Sequence, residues 1–348
     1  MKIGIIGCGG IAALHAESYL KFPEEAELAA CCDIDFAKAE GFARRFGIPH
    51  AYASCEEMLA NEKLDACDVC TWNSAHAPCT IAALNAGCHV LCEKPMALNA
   101  KEAQEMTNAA KKAGKLLMIG FVRRHGDDAG AAKALVERGE LGQVYYAKAQ
   151  YLRRCGFPGG WFGDKARSGG GPLIDLGVHV IDLARYIMGG PKPVSVYGVT
   201  NDLMGSRWNL RISAWESETA VDEPKFDVEN LALALIRFDN GATLQLETSF
   251  NLNTKSDYGA IEIYGDKAGL DLNDFELHTV LGGKHADIKL VNGESFDFGV
   301  AMDREALNFI RSAQGLEECV APAEDGLEIM KVLDAVYLSA ETGEAVKL

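Results

Sequence analysis

At 348 residues the chain exceeds the size at which one hydrophobic core stops growing, so two domains are expected. Its 48% hydrophobic and 24% charged residues are those of an ordinary globular protein and exclude extended disorder. A formal charge of −16, from 34 Lys+Arg against 50 Asp+Glu, repels a phosphate backbone and argues against nucleic acid as a partner; backbone N–H groups at a helix start can still bind an anionic cofactor locally.

The opening Met1-Lys2-Ile3-Gly4-Ile5-Ile6-Gly7-Cys8 is too short and too broken by glycine to be a secretory or lipoprotein signal. No run of about 18 apolar residues exists to form a membrane span. The 11 cysteines lack regular spacing, which points to reduced thiols, a cytoplasmic location and no disulfide framework. Cys67 and Cys70 form a C-x-x-C, but on a strand a separation of three places them on opposite faces, which argues against a metal or redox pair.

From Lys2 to Phe121 short apolar runs alternate with amphipathic segments. Strands are predicted at Ile3–Ile6, Leu28–Cys32, His50–Ala53, Asp65–Cys70, Cys88–Cys92 and Leu116–Gly120, with helices at Phe36–Phe46, Cys55–Ala60, Thr80–Ala86 and Lys101–Ala113. Ser54 with Glu57 and Asn99 with Glu102 have capping-box spacing, and Gly87 and Gly114 mark helix ends. This rhythm requires a parallel sheet covered on both faces, hence a Rossmann-type α/β domain over residues 1–122.

Beyond residue 122 strands follow one another: Val144–Arg153, Val194–Val199, Val228–Phe238, Ala242–Phe250 and Ala260–Tyr264. Phe238-Asp239-Asn240-Gly241-Ala242 is a hairpin signal. The second domain, residues 123–348, is therefore expected to be α+β with a mainly antiparallel open sheet, one helix at Pro172–Met188 and two closing helices at Arg304–Ala313 and Leu327–Ala340 that can pack back across the junction. Val228–Phe238 carries apolar residues at both parities, which predicts cover on both faces and a homo-dimer or homo-tetramer.

Gly7-Cys8-Gly9-Gly10-Ile11-Ala12 follows the first strand and opens a helix, the context a dinucleotide fingerprint requires. Gly7 serves the tight turn, Gly9 the close approach of a pyrophosphate, and Ala12 the packing of helix on sheet. Asp33, 26 residues after Gly7, ends the second strand, where a carboxylate accepts from ribose hydroxyls and repels a 2′-phosphate. With no Arg in Asp33-Ile34-Asp35-Phe36, NAD is favoured over NADP.

Three stretches bring a resemblance. Thr71-Trp72-Asn73-Ser74-Ala75-His76, Cys92-Glu93-Lys94-Pro95 and Gly170-Gly171-Pro172-Leu173-Ile174-Asp175-Leu176-Gly177-Val178-His179-Val180-Ile181-Asp182 together resemble the glucose-fructose oxidoreductase, inositol dehydrogenase and MocA (Gfo/Idh/MocA) family. The chain departs from that family at Trp72, where proline is common. The resemblance implies a dehydrogenase with Gly7, Gly9, Gly10, Ile11, Ala12, Asp33, Thr71, Asn73, His76, Glu93 and Lys94 at the cofactor, Lys94, Asp175 and His179 as catalytic residues, and Arg123 and Trp161 beside Asp175 and His179 at the substrate. Arg124 competes with Arg123 for its role, and ordinary packing competes for Trp161.

Oxidising a secondary alcohol needs a proton acceptor, a positive charge near the developing alkoxide, and the cofactor within reach. Lys94 lies just past a parallel strand's carboxyl end, where ligands bind in open α/β sheets. Asp175, His179 and Asp182 share one face of a regular helix, and the two domains are expected to meet at one cleft. His179 is expected to exchange the proton with Asp175 assisting and Lys94 stabilising the alkoxide, though Lys94 and His179 can trade roles. Asp182 is expected to hold the His179 ring. No third ligand accompanies Asp175 and His179, so no metal is expected. The function expected is NAD-dependent oxidation of a sugar, polyol or glycoside; the alternatives are glycoside cleavage through a transient ketone and a non-catalytic NAD-binding regulator.

Overall fold

Four of the five residues of β1 (Lys2–Ile6) are buried, as expected of a strand that has neighbours on both sides and helices on both faces. The computed structural model describes residues 1–205, 217, 225–290 and 296–348. It divides into two compact units, Met1–His125 with Phe298–Met330, and Gly126–Asp297 with Lys331–Leu348.

In the first unit β1 is followed by α1 (Gly10–Tyr19), β2 (Glu27–Cys32), α2 (Phe36–Phe46), β3 (His50–Tyr52), α3 (Cys55–Asn61), β4 (Ala66–Val69), α4 (Asn73–Asn85), β5 (His89–Glu93), α5 (Ala100–Ala113) and β6 (Leu117–Gly120). The strands pair in parallel in the order β3-β2-β1-β4-β5-β6, so chain direction across the sheet reverses between β1 and β4. Ser54 Oγ accepts from Glu57 N at 3.1 Å and Asn99 Oδ1 from Glu102 N at 3.0 Å. The reciprocal arms reach one residue further back than a standard capping box, from Ala53 N to Glu57 and from Leu98 N to Glu102. α4 begins seven residues before its expected start at Thr80. Pro78 is accommodated because it lies early in the helix, where its missing N–H forfeits a single bond.

The second unit contains α6 (Asp127–Glu137), β7 (Val144–Leu152), α7 (Lys165–Ser168), α8 (Val178–Ile187), β8 (Pro193–Asn201), β9 (Leu231–Phe238), β10 (Thr243–Ser249), β11 (Tyr258–Gly265), β12 (Ala268–Asp271), β13 (Glu276–Leu281) and β14 (Lys284–Lys289). The chain closes with α9 (Phe298–Ala313), α10 (Ala323–Thr342) and β15 (Val346–Lys347). Sheet order is β14-β13-β12-β11-β7-β10-β9-β8-β15, antiparallel throughout except for β7 with β10. The hairpin between β9 and β10 forms where expected, with Phe238 N donating to Ala242 O at 2.9 Å and Gly241 at φ +88°.

Along β9, Ala232, Ala234, Ile236 and Phe238 are buried, while Leu233 and Leu235 are exposed on the other face. Residues 172–188 are not one regular helix: a π-helical turn, Leu173–Gly177, precedes α8. The stretch before α10 lies on the edge of β6, where Ile119 N donates to Ala321 O at 2.9 Å.

Candidate active site

Because all strands of the first sheet are parallel, their carboxyl ends share one edge. That edge collects Gly7 after β1, Asp33 after β2, Thr71 after β4, Lys94 after β5 and Arg123 after β6. Gly7 has φ +91°, and a Cβ there would lie 2.8 Å from the Cys70 carbonyl oxygen, so both backbone angle and space exclude a side chain. The N-cap of α1 is Gly9, which offers no side chain to the first-turn N–H groups. A Cβ on Gly9 would meet only Lys38 Nζ, at 3.9 Å.

Asp33 is held in place rather than free to swing away. Its Oδ2 accepts from Cys8 N and its Oδ1 from Asp35 N, both at 2.9 Å. Uncapped helix N–H groups, open space above Gly9 and a fixed carboxylate beside the glycine loop fit a dinucleotide with its diphosphate at α1 and its adenosine ribose at Asp33. Ile11 and Gly10 lie in the first turn of α1, and Ala12 is fully buried against the sheet.

Lys94 follows β5, is half-buried, and precedes Pro95 through a cis peptide bond. Its backbone N–H donates to Glu93 Oε2 at 2.9 Å. His76, on the first turns of α4 and 1% exposed, directs Nδ1 to Pro95 O at 2.7 Å and Nε2 to Thr71 O at 3.0 Å, joining the Thr71 and Lys94 loops. Burial pushes its pKa down against the pull of the two carbonyls. Asn73 is buried in the first turn of α4.

In the second unit Asp175 lies in the π turn, 8% exposed, His179 is half-buried on α8, and Asp182 is 1% exposed. The π turn revises the expectation of one regular helical face, because its wider turn rotates Asp175 relative to α8. Two supports hold it. Leu176 packs with Phe157 and Phe250, whose rings are 5.6 Å apart. Glu229 Oε2 accepts from Gly171 N at 2.9 Å, and its Oε1 accepts from Leu173 N and from the Tyr337 hydroxyl, each at 3.0 Å. A Cβ on Gly171 would overlap the Glu229 carbonyl oxygen. Trp161 stacks on Phe162 with centroids 4.0 Å apart.

Of the two arginines, Arg124 is committed elsewhere: buried, it donates at 2.8 Å to both Val320 O and Asp325 Oδ2. Arg123 is half-buried. Sequence reading missed three residues of these sites. Lys38 stands over Gly9, Glu229 ties down the Asp175 segment, and His15 contacts Glu93. Lys38 had a legible signal, a cation five residues past Asp33; Glu229 was read as part of a strand, Val228–Phe238, that in fact begins at Leu231.

Residues 1–121 match the model of an oxidoreductase family with an NAD-binding Rossmann fold, and residues 130–271 match a GFO/IDH/MocA C-terminal domain. The chain is 36% identical to a D-glucoside 3-dehydrogenase of Escherichia coli (strain K12), over all of this chain and 97% of that protein. It is 30% identical to a D-xylose 1-dehydrogenase (NADP(+)) 2 of Haloferax volcanii, over the full length of both. An oxidoreductase domain protein of Kribbella flavida superposes with a TM-score of 0.83 at 26% identity, covering 99% of this chain and 98% of that one. No helix among the described residues is long and apolar enough to cross a membrane. With its NAD-binding Rossmann domain and mostly antiparallel second sheet, the chain belongs to the Gfo/Idh/MocA family of oxidoreductases and is a nicotinamide-dependent dehydrogenase.

Proposed function

We propose that the chain oxidises a secondary ring hydroxyl of a sugar, polyol or glycoside in the cytoplasm, using NAD, with Lys94, Asp175 and His179 serving that hydroxyl. The observation that supports this most is the gathering of Gly7, Asp33, Thr71, Lys94 and Arg123 along one sheet edge. When bound, the nicotinamide supplies the acceptor for the two electrons of the C–H bond. His179 takes the hydroxyl proton, Asp175 favours its protonated form, and the Lys94 ammonium opposes the charge left on oxygen. Arg123 and Trp161 hold the substrate, the indole against a sugar face. Similarity to a glucoside 3-dehydrogenase makes simple glucosides the first substrates to test. Purified chain with NAD and a panel of sugars, inositols and glycosides, followed by absorbance of the reduced cofactor, tests the reading. No reduction with any of them overturns it, and aglycone release without net reduction redirects it to glycoside cleavage.

For the cofactor, NAD should bind at least about tenfold more tightly than NADP. Asp33 is anchored by two backbone N–H groups and meets a 2′-phosphate at a cost of about 1–4 kcal/mol for one like-charge contact. Calorimetry at fixed salt measures this, and NADP binding as tight as NAD sinks the preference.

The exposed sheet face supports a homo-oligomer. Tyr197 lies opposite Leu235 and Val199 opposite Leu233, all four at 39–48% exposure, an apolar patch on strands already packed on their other face. We expect a dimer or tetramer at micromolar concentration, and Leu233→Glu with Leu235→Glu should yield monomers. Light scattering that finds the unmutated chain monomeric refutes it.

A further inference from the structure

A buried imidazole links α1 to the strand that carries Lys94. His15 is 2% exposed, with Nδ1 2.7 Å from Asp68 Oδ2 on β4 and Nε2 3.0 Å from Glu93 Oε1 on β5. A neutral imidazole has one N–H and can donate to only one of these groups; with both carboxyls ionised, both contacts are hydrogen bonds only if the ring carries two protons. The other Glu93 oxygen accepts the Lys94 N–H, so bonds of 3.0 Å or less run without a break from Asp68 through His15 and Glu93 to the Lys94 backbone.

The groups around this chain leave His15 as its positive charge. Cys70 Sγ donates to Asp68 Oδ1 at 3.3 Å, and burial keeps the thiol protonated. Tyr19 of α1 is buried nearby, its phenol pushed up by burial and by Asp68. Glu305 of α9 is 1% exposed with neither carboxylate oxygen hydrogen-bonded; burial, against the pull of His15 and with Glu93 and Asp68 adding to it, pushes it toward the neutral acid. Burial is the largest single effect and works against charge on His15, but Asp68 and Cys70 together reverse it and hold the imidazole well above the usual histidine range.

The His15, Asp68 and Cys70 ligand atoms all lie within 4.8 Å of one another, which invites a divalent cation as the alternative. Ligands around a tetrahedral ion at 2.0–2.1 Å stand about 3.3 Å apart. The 2.7 Å contact between His15 and Asp68 fits a shared proton instead.

We propose that His15, as an imidazolium clamped between Asp68 and Glu93, is a positioning residue for Lys94, fixing the carboxylate that holds the lysine's backbone at the sheet edge. The inference rests on the reading that Lys94 serves the substrate hydroxyl, but its first test does not. Nitrogen NMR of the intact labelled chain should show both His15 ring nitrogens protonated at pH 8. A neutral ring at that pH, or a stoichiometric zinc ion retained by the purified chain, overturns the clamp.

In turnover, His15→Gln should lower kcat about 10- to 100-fold, the scale of a small misplacement at the reacting centre, with the Kd for NAD changed less than twofold. Glu93→Gln should also lower kcat, and the double variant should be no worse than the more damaging single; losses that multiply refute the coupling. If His15→Gln does not fold, Asp68→Asn removes the chief support of the imidazolium. Its kcat should then fall relative to wild type as pH rises through the ordinary histidine range, and parallel pH profiles refute the clamp. If Lys94→Ala leaves turnover intact, the functional reading fails while the NMR result stands.

Discussion

Lys94→Ala should lower kcat by about two orders of magnitude or more and leave the Kd for NAD within about twofold. In the role proposed for Lys94 the ammonium opposes charge that exists on the substrate oxygen only as the proton leaves, so its loss should fall on the transition state. Cofactor affinity is assigned to other groups in the proposed binding mode: the uncapped start of α1, the open space above Gly9 and the anchored Asp33 carboxylate. His179→Ala should cost a similar factor by removing the group proposed as proton acceptor. The double variant should cost less than the product of the two losses, because neither group completes its task once the other is gone. Stopped-flow and steady-state measurements with a confirmed substrate decide this. Near-normal turnover in either single variant removes that residue from the site, and multiplicative losses show that the two do not serve one hydroxyl.

What the sequence disclosed and what it hid differ in range. Local signals were legible. α2 spans Phe36–Phe46 as expected because Asp35 accepts from Lys38 N at its start and Gly47 takes φ +69° at its end, both within a few residues of the helix. The glycine loop and Asp33 were legible for the same reason. β13 and β14 were not, because their exposed faces leave no apolar run. Only Gly282-Gly283, both at positive φ between Leu281 and Lys284, marked that hairpin.

Long-range polar contacts left no trace in spacing. His15 meets Asp68 and Glu93 across 53 and 78 residues, and Glu229 meets Gly171 across 58. The choice between Arg123 and Arg124 could not be made from adjacency, which says only that they point differently. It is narrowed by Asp325, 201 residues away, which occupies Arg124.

Glu229→Ala should destabilise the second unit by about 3 kcal/mol or more and also depress turnover, although Glu229 is assigned no contact with substrate. Its carboxylate accepts from Gly171 N, Leu173 N and the Tyr337 hydroxyl, and hydrogen bonds to a charged acceptor are worth about 1.5–3 kcal/mol each without being additive. Two of the three donors bracket Pro172 at the entry to the π turn that carries Asp175, so the loss reaches the Asp175–His179 segment. Glu229→Gln separates shape from charge. The amide keeps one acceptor oxygen but turns an NH₂ toward donors, so it should also destabilise, by less than alanine. It removes a pH term as well. Enclosure pushes the Glu229 pKa up, against the pull of its backbone and tyrosine donors. A carboxyl whose folded pKa is raised binds more protons folded than unfolded. Its contribution is therefore fully present below the ordinary carboxylate range and is lost as pH rises through the raised value. Urea titrations of the wild-type chain and Glu229→Gln across that range should show a downward slope with pH in the wild type that is shallower in the variant. Equal slopes, or an unshifted unfolding midpoint in Glu229→Ala, would show that the carboxylate does not carry the support assigned to it.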